Sequence, residues 1–344
     1  MESDRIKILV ENKIPYFRGL LDNVADVKYL SPEDITPDAV KDVDAIVTRT
    51  RTKCDENLLK GSRCSLIASA TIGLDHVDLE WCKKNGITVR NAPGCNAPAV
   101  AQYVFASLLS LGVDLKCKCL GVIGAGHVGT IVADWGHQLG MRVIVNDPPR
   151  ERMEGSGGFV SLETIAREAD IITFHTPYTK GTEYPTHHLL NTKFVSELKR
   201  KPIIINSARG AVVDTAALMD GLESGKISKA IVDCWEGEPY ISRDLLEAAA
   251  IATPHIAGYS RQGKQRASYM AAQEIASKFN LDMCEVTQMR YLPQKITEAD
   301  IYSSYNPLVD SIALKNNPEN FEELRNNYGL RTEVLFPESA KYTF

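Results

Sequence analysis

The chain repeats one pattern along most of its length: a short aliphatic or β-branched run, then a polar-punctuated stretch of helical character, then another run. The runs are Ile6–Val10, Ala45–Thr48, Leu66–Ala70, Leu120–Ile123, Val143–Asn146, Ile171–Phe174, Ile203–Asn206, Lys229–Asp233 and Ile251–Thr253. Several are apolar at successive positions rather than at alternate ones, as in strands covered on both faces. Strands of that kind separated by helices build βαβ units, so the expected class is α/β with doubly wound parallel sheets. Longer helices are expected over Ala97–Gly112, Val128–Leu139 and Gln262–Phe279. After about Asp282 the alternation fades. The tail carries Tyr302, Tyr305, Tyr328 and Tyr342, with a short amphipathic helix expected near Asn316–Arg325.

At 344 residues the chain has room for two domains and a small third module. Lys and Arg total 39 against 44 Asp and Glu, a net charge of -5, which disfavours general nucleic-acid binding. A small anion can still bind where basic residues gather. No apolar stretch approaches the length of a membrane span, and the first residues do not read as a secretory signal. The eight cysteines form no CxxC pair and no zinc-type spacing with histidine, so no metal site is expected and the cytoplasm is the expected compartment.

The strongest local motif is Leu120-Gly121-Val122-Ile123-Gly124-Ala125-Gly126-His127-Val128-Gly129. Gly124, Gly126 and Gly129 make GxGxxG between a strand-like run and a helical one. A second run then ends at Asp147, 18 residues past Gly129. That order is the dinucleotide-binding unit. Gly124 permits the turn, Gly126 lets the backbone approach a pyrophosphate, and Gly129 lets helix and strand pack closely. His127 and Val128 open the helix whose free N–H groups face the phosphates. Asp147 suits the ribose hydroxyls and repels a 2′-phosphate, which favours NAD; Arg150 nearby keeps NADP open.

An alcohol-oxidising enzyme needs a base for the hydroxyl proton and a cation for an anionic substrate. Three successive strand ends supply such groups: Asn206-Ser207-Ala208-Arg209-Gly210, Trp235-Glu236-Gly237-Glu238-Pro239, and Pro254-His255 before Gly258. Glu238 beside His255 would fix its tautomer and favour the imidazolium. Arg209 suits a carboxylate.

These segments, placed in this order around a GxGxxG unit, resemble the D-isomer-specific 2-hydroxyacid dehydrogenase family over roughly residues 6–282. The resemblance implies a Rossmann-like cofactor lobe and a flavodoxin-like substrate lobe. The substrate lobe would comprise 1–96 and 259–284, the NAD lobe 97–258, and a C-terminal dimerisation module 285–344. It implies that Arg209 binds the substrate carboxylate, that Glu238 pairs with His255, and that His255 takes the hydroxyl proton. Asp233, Thr176, Ala208 and Gly258 would line the NAD site.

Three more segments narrow the substrate: Arg49-Thr50-Arg51-Thr52-Lys53, Ala70-Thr71-Ile72-Gly73, and Ala257-Gly258-Tyr259. They are similar to a branch of the family that oxidises the phosphorylated four-carbon acid 4-phospho-D-erythronate on the route to pyridoxal phosphate. Arg49, Thr50, Thr71 and Tyr259 would be the substrate contacts, in a homodimer. Two alternatives remain within the class, 3-phosphoglycerate oxidation and hydroxypyruvate or glyoxylate reduction. A third is of another kind, an NAD-sensing corepressor-like module.

Overall fold

The computed structural model describes residues 5–283 and 295–334. They form two compact units. Of the described residues, the first draws on 5–96 and 261–283, and the second on 97–260 and 295–334.

The first unit holds a five-stranded sheet made of β1 (Lys7–Glu11), β2 (Asp26–Leu30), β3 (Ala45–Thr48), β4 (Leu66–Ser69) and β5 (Thr88–Arg90). Its order is β2-β1-β3-β4-β5. Every neighbouring pair is parallel. The central strands bury both faces: Ile8, Val10, Ala45, Val47, Leu66 and Ala68 enter one cluster, and Leu9, Ile46 and Ile67 the other. The helix Arg261–Phe279 returns to this unit and adds Ala267, Ala271, Ala272 and Ile275 to the first cluster.

The second unit holds β6 (Cys119–Ile123), β7 (Arg142–Asn146), β8 (Ile171–Phe174), β9 (Ile203–Asn206), β10 (Lys229–Val232) and β11 (Ile251–Ala252), in the order β11-β10-β9-β8-β6-β7. All pairs are again parallel. Successive residues go to opposite clusters: Ile171, Ile203, Ile205 and Ile231 to one face, and Ile172, Ile204, Ala230 and Val232 to the other. Such isoleucines each contribute on the order of 2 kcal/mol through burial. The expectation of doubly wound parallel sheets is met in both units. The chain turns from β6 to β7 on one side and resumes at β8 on the other, which makes a switch point beside β6.

The boundaries follow local chemistry. Asp147, Ser161, Asn191, Asp214 and Ser242 each cap a helix through the side chain. The long predicted helices occur at Ala97–Ser110, His127–Gln138 and Arg261–Phe279. Two strands were not anticipated, β2 and β5. Both are sheet edges with partly exposed residues, so neither shows an apolar run.

The tail beyond 295 is helical, and the predicted amphipathic helix divides differently from expectation. Pro307–Asn316 is one helix and Phe321–Asn326 another, separated by a 3-10 turn over Pro318–Asn320. Pro318 accounts for the break, because its ring cannot continue the preceding helix. Leu314 and Phe321 join the core of the second unit on one face of the sheet and Ile296 and Ile301 on the other. Ser311 Oγ accepts the Ala252 amide at 3.0 Å, and Lys315 Nζ donates to Ala249 O at 2.5 Å, so the tail covers edge strand β11.

Gly129 shows how tightly β6 and its helix approach. A Cβ there would stand 1.9 Å from Gly124 O, a backbone atom that cannot swing aside. Gly129→Ala is expected to cost about 2 kcal/mol or more. Thermal melting should show the midpoint lowered by several degrees; an unchanged midpoint would refute the packing argument.

Candidate active site

Because all strands of the second sheet are parallel, their C-terminal ends lie along one edge. Every candidate cofactor and catalytic residue of this unit sits there. Gly124 follows β6 with φ +90, and its absent Cβ would meet the His175–Thr176 backbone at 2.8 Å, so only glycine lets the loops after β6 and β8 touch. Gly126 caps the helix His127–Gln138 with no side chain, and the space a Cβ would fill is open. His127 and Val128 form the helix start, where backbone N–H groups have no helical partner.

Asp147 follows β7. Its Oδ2 accepts the Ala125 amide at 2.7 Å and its Oδ1 the Arg150 amide at 3.0 Å, so it holds the glycine loop as well as presenting a carboxylate. Arg150 donates to Ala125 O at 2.6 Å and pairs with Glu154 at 2.8 Å. The neighbourhood of Asp147 thus carries a second carboxylate, which suits a ribose diol better than a 2′-phosphate.

Thr176 follows β8, and Ser207 and Ala208 follow β9. Thr176 Oγ1 and Ser207 Oγ are buried with no hydrogen-bond partner among the described residues. Buried hydroxyls of that kind call for a ligand partner. Together with the open space at Gly126 and the free helix start, they fit a bound dinucleotide. His175 is half-buried beside them, with its Nδ1 out of contact with solvent. Its Nε2 meets Thr173 Oγ1 at 2.9 Å, and burial drives its pKa down to about 3, so it is a neutral packing group.

The loops after β9, β10 and β11 carry the catalytic candidates. Asn206 Nδ2 donates to Arg209 O at 3.0 Å and to Cys234 O at 3.1 Å, tying two loops together. Gly210 makes the contact close, since a Cβ there would be 2.0 Å from Trp235 O. Glu236 is engaged elsewhere: it takes His188 Nε2 at 2.7 Å and the Thr215 amide at 2.8 Å. Glu238 is the carboxylate that reaches His255, whose Nδ1 lies 2.7 Å from Oε1 and 3.0 Å from Oε2. With Nδ1 held, Nε2 is the ring nitrogen left for proton transfer. Burial pushes the pKa of the Cys234 thiol far up, and the neighbouring charges of Asp233 and Glu238 push it the same way.

Asp233 does more than the sequence suggested. It is buried, its Oδ1 accepts Thr253 Oγ1 at 2.7 Å and the Ile256 amide at 2.8 Å, and its Oδ2 accepts the Ala257 amide at 3.0 Å. It anchors the loop that runs from His255 through Gly258 to Tyr259. His255 has φ +56, a conformation a non-glycine residue keeps only when its surroundings impose it.

Arg49 and Thr50 follow β3 in the first unit, and Thr71 follows β4. Arg49 Nη1 donates to Lys13 O at 3.0 Å. Beneath it lies the fully buried Glu11, whose Oε2 accepts Thr48 Oγ1 at 3.3 Å, Thr52 Oγ1 at 3.1 Å and the Arg49 amide at 3.3 Å. Lys53 pairs with Asp55 at 2.8 Å, which reduces its value to an anion site. Thr71 Oγ1 meets Ser69 Oγ at 2.7 Å and donates to Gly73 O at 3.0 Å. Sequence reasoning missed Glu11 and two tail residues, Arg325 and Arg331. Burial opposes the charge of Arg325, but the neighbouring Tyr259, to which it hydrogen-bonds, and the charge of Glu238 outweigh it. No motif marked them. Among the described residues no cluster of metal-binding side chains occurs, and no helix is long and apolar enough to cross a membrane.

A glycine-rich phosphate loop, a carboxylate-held histidine and an arginine on one sheet edge define an NAD-dependent dehydrogenase of hydroxy acids. The comparisons with known proteins agree. Residues 90–257 match the family model described as D-isomer specific 2-hydroxyacid dehydrogenase, NAD binding domain. The chain is 46% identical over 339 residues to an erythronate-4-phosphate dehydrogenase of Bacteroides thetaiotaomicron, covering 95% of this chain and 97% of that one. It is 39% identical over 340 residues to the protein of the same name from Porphyromonas gingivalis, covering 94% and 92%. Among solved structures, D-lactate dehydrogenase from Aquifex aeolicus, complexed with NAD and lactic acid, is similar with a TM-score of 0.67 at 29% identity, over 80% of this chain and 95% of that one. The chain belongs to the D-isomer-specific 2-hydroxyacid dehydrogenases and, within them, to the erythronate-4-phosphate dehydrogenase family.

Two pKa shifts set an expectation for acid stability. Burial lowers His76 to about 4 and His175 to about 3, against 6.5 when unfolded. Between those values only the unfolded chain takes the proton, so stability is full above 6.5 and falls as pH drops below it. Each group contributes a slope of about 1.4 kcal/mol per pH unit. Urea unfolding at pH 7 and pH 5 should show this loss, and His175→Asn should lessen it; equal loss in that variant would contradict the assignment. At the Glu238–His255 pair, Glu238→Gln should leave folding intact and lower kcat about 10²- to 10⁴-fold, read by steady-state kinetics.

Proposed function

We propose that the protein oxidises 4-phospho-D-erythronate with NAD to 2-oxo-3-hydroxy-4-phosphobutanoate, a step of pyridoxal phosphate synthesis. The observation that carries the chemistry is the Glu238–His255 pair at 2.7 Å on the same sheet edge as the GxGxxG loop. The substrate rests on the relatives named erythronate-4-phosphate dehydrogenase, which align along nearly the whole chain.

In this reading Arg209 holds the substrate carboxylate through a two-pronged hydrogen bond. His255 Nε2 takes the proton of the C2 hydroxyl, and Glu238 stabilises the resulting imidazolium through Nδ1. Bound NAD supplies the hydride acceptor. Gly124, Gly126, His127, Val128 and Gly129 would hold its pyrophosphate, Asp147 its adenosine ribose, and Thr176, Ala208, Asp233 and Gly258 the nicotinamide side. Arg49, Thr50, Thr71 and Tyr259 are assigned to the rest of the substrate, with Arg49 the cation for the phosphate. The relatives that align along nearly the whole chain are named as dehydrogenases, which favours turnover over a purely NAD-sensing module. We further infer a cytoplasmic homodimer formed through the tail helices, where Tyr302, Val309 and Ile312 are exposed.

The test is NADH formation at 340 nm with 4-phosphoerythronate, erythronate and 3-phosphoglycerate. The expected result is a strong preference for the four-carbon phosphate and a KM raised at least tenfold in Arg49→Ala. Preference for 3-phosphoglycerate or for the unphosphorylated acid would overturn the substrate assignment.

A further inference from the structure

The tail does more than cover β11. Its last described segment reaches the loop that carries His255, and Arg331 is the point of contact. Arg331 is buried, and each of its five N–H donors has an acceptor. Nη1 donates to Ile256 O at 2.9 Å and Tyr259 O at 3.1 Å. Nη2 donates to Ala257 O and, at 3.0 Å, to Ala99 O. Nε donates to Gln102 Oε1 at 3.0 Å. Gln102 is itself fixed, since its Nε2 donates to Ser304 Oγ and Thr332 O, both at 3.0 Å. The guanidinium also lies over the Tyr305 ring, 4.4 Å from its centroid. Ser260 pairs with Arg331 in an isolated parallel bridge, and Ser260 Oγ donates to Glu333 Oε1 at 2.6 Å.

The other side of the same loop belongs to Asp233. Its carboxylate takes the amides of Ile256 and Ala257, while Arg331 takes the carbonyls of those same two residues. A buried anion and a buried cation thus grip the peptide groups next to His255 from their opposite poles. Neither grip involves the imidazole. Both act on the backbone that imposes its φ of +56 and carries Tyr259.

We propose that Arg331 is a positioning residue for the dehydrogenase reaction: acting with Asp233 through the peptides of 256–259, it sets His255 and Tyr259. The C-terminal module then serves the active site of its own chain. This rests on the catalytic role assigned to His255 above. Five donors in one plane are needed, and lysine, with three, cannot replace them.

The experiment compares the native chain with Arg331→Lys and Arg331→Met. Three quantities are measured: kcat with whichever 2-hydroxy acid the native chain oxidises best, the NADH dissociation constant by fluorescence, and amide hydrogen exchange over 255–260. The expected result is kcat lowered at least tenfold, NADH affinity within threefold, and faster exchange confined to that loop. An unchanged kcat in the folded variants overturns the proposal. So does a fall in kcat matched by an equal loss of NADH affinity with exchange raised across the whole unit, which is the signature of a merely structural role. Should neither variant fold, Gln102→Met, which removes one acceptor, is measured instead; unchanged kcat and exchange there overturn the proposal. If 4-phosphoerythronate is not a substrate, the proposed function fails, while the exchange pattern and turnover of another hydroxy acid still decide the role of Arg331.

Discussion

Parallel pairing in the second sheet makes all six strands leave it on the same edge, and the chemistry of the molecule depends on that. Six loops from distant parts of the sequence then compete for one narrow strip. They fit only because glycine stands at the points of closest approach. Gly124 lets the loop after β8 lie against the loop after β6, and Gly210 lets the loop after β9 lie against that after β10. The absence of a Cβ at Gly210 lets the segments that carry Arg209 and Glu238 lie against each other, and its absence at Gly124 lets the glycine turn lie against the loop of Thr176. The same parallel pairing needs apolar residues on both faces of each strand, which explains the continuous isoleucine and valine runs.

A strip of loops has little regular hydrogen bonding of its own, so buried polar side chains supply it. Asn206 joins the loops after β9 and β10, Asp233 holds the loop after β11, and Arg331 closes that loop from the opposite side. Tyr103 and Trp235 extend the network, donating to or sharing bonds with Thr253 at 2.8 and 2.9 Å. Burying Asp233 and Arg331 is costly unless each is fully bonded. Here both are, and the return is a rigid backbone around a histidine in an uncommon conformation. Pre-organisation of that kind lets a single carboxylate, Glu238, hold the imidazole through Nδ1.

The first unit solves a similar problem at smaller scale. Glu11 is buried at the end of β1 and gathers two threonine hydroxyls and an amide of the Arg49 loop. The basic character of that loop, evident from its composition, is thereby moderated: Arg49 stands over an internal carboxylate and Lys53 is paired with Asp55. A countercharge beneath Arg49 and the carbonyl of Lys13 hold its guanidinium in place.

The class of fold and the placing of the candidate residues at strand ends were legible in the sequence because they are written locally. A strand buried on both faces shows as an uninterrupted apolar run, GxGxxG sits between its strand and helix, and Arg209, Glu238 and His255 each follow such a run. Edge strands β2 and β5 were not legible, since half-exposed strands carry charges and lose the pattern. The roles of Glu11, Asp233 and Arg331 were not legible either. Arg331 meets its carbonyls across 72 to 75 residues of sequence, and Glu11 meets Thr52 across 41. The sequence by itself determined which segments become the strands buried on both faces and which residues stand at their ends, because those depend on periodicity and on neighbours in the chain. Only the tertiary structure decided which buried charges hold the loops, because a buried charge is stable only where the folded backbone brings partners to each of its donors or acceptors.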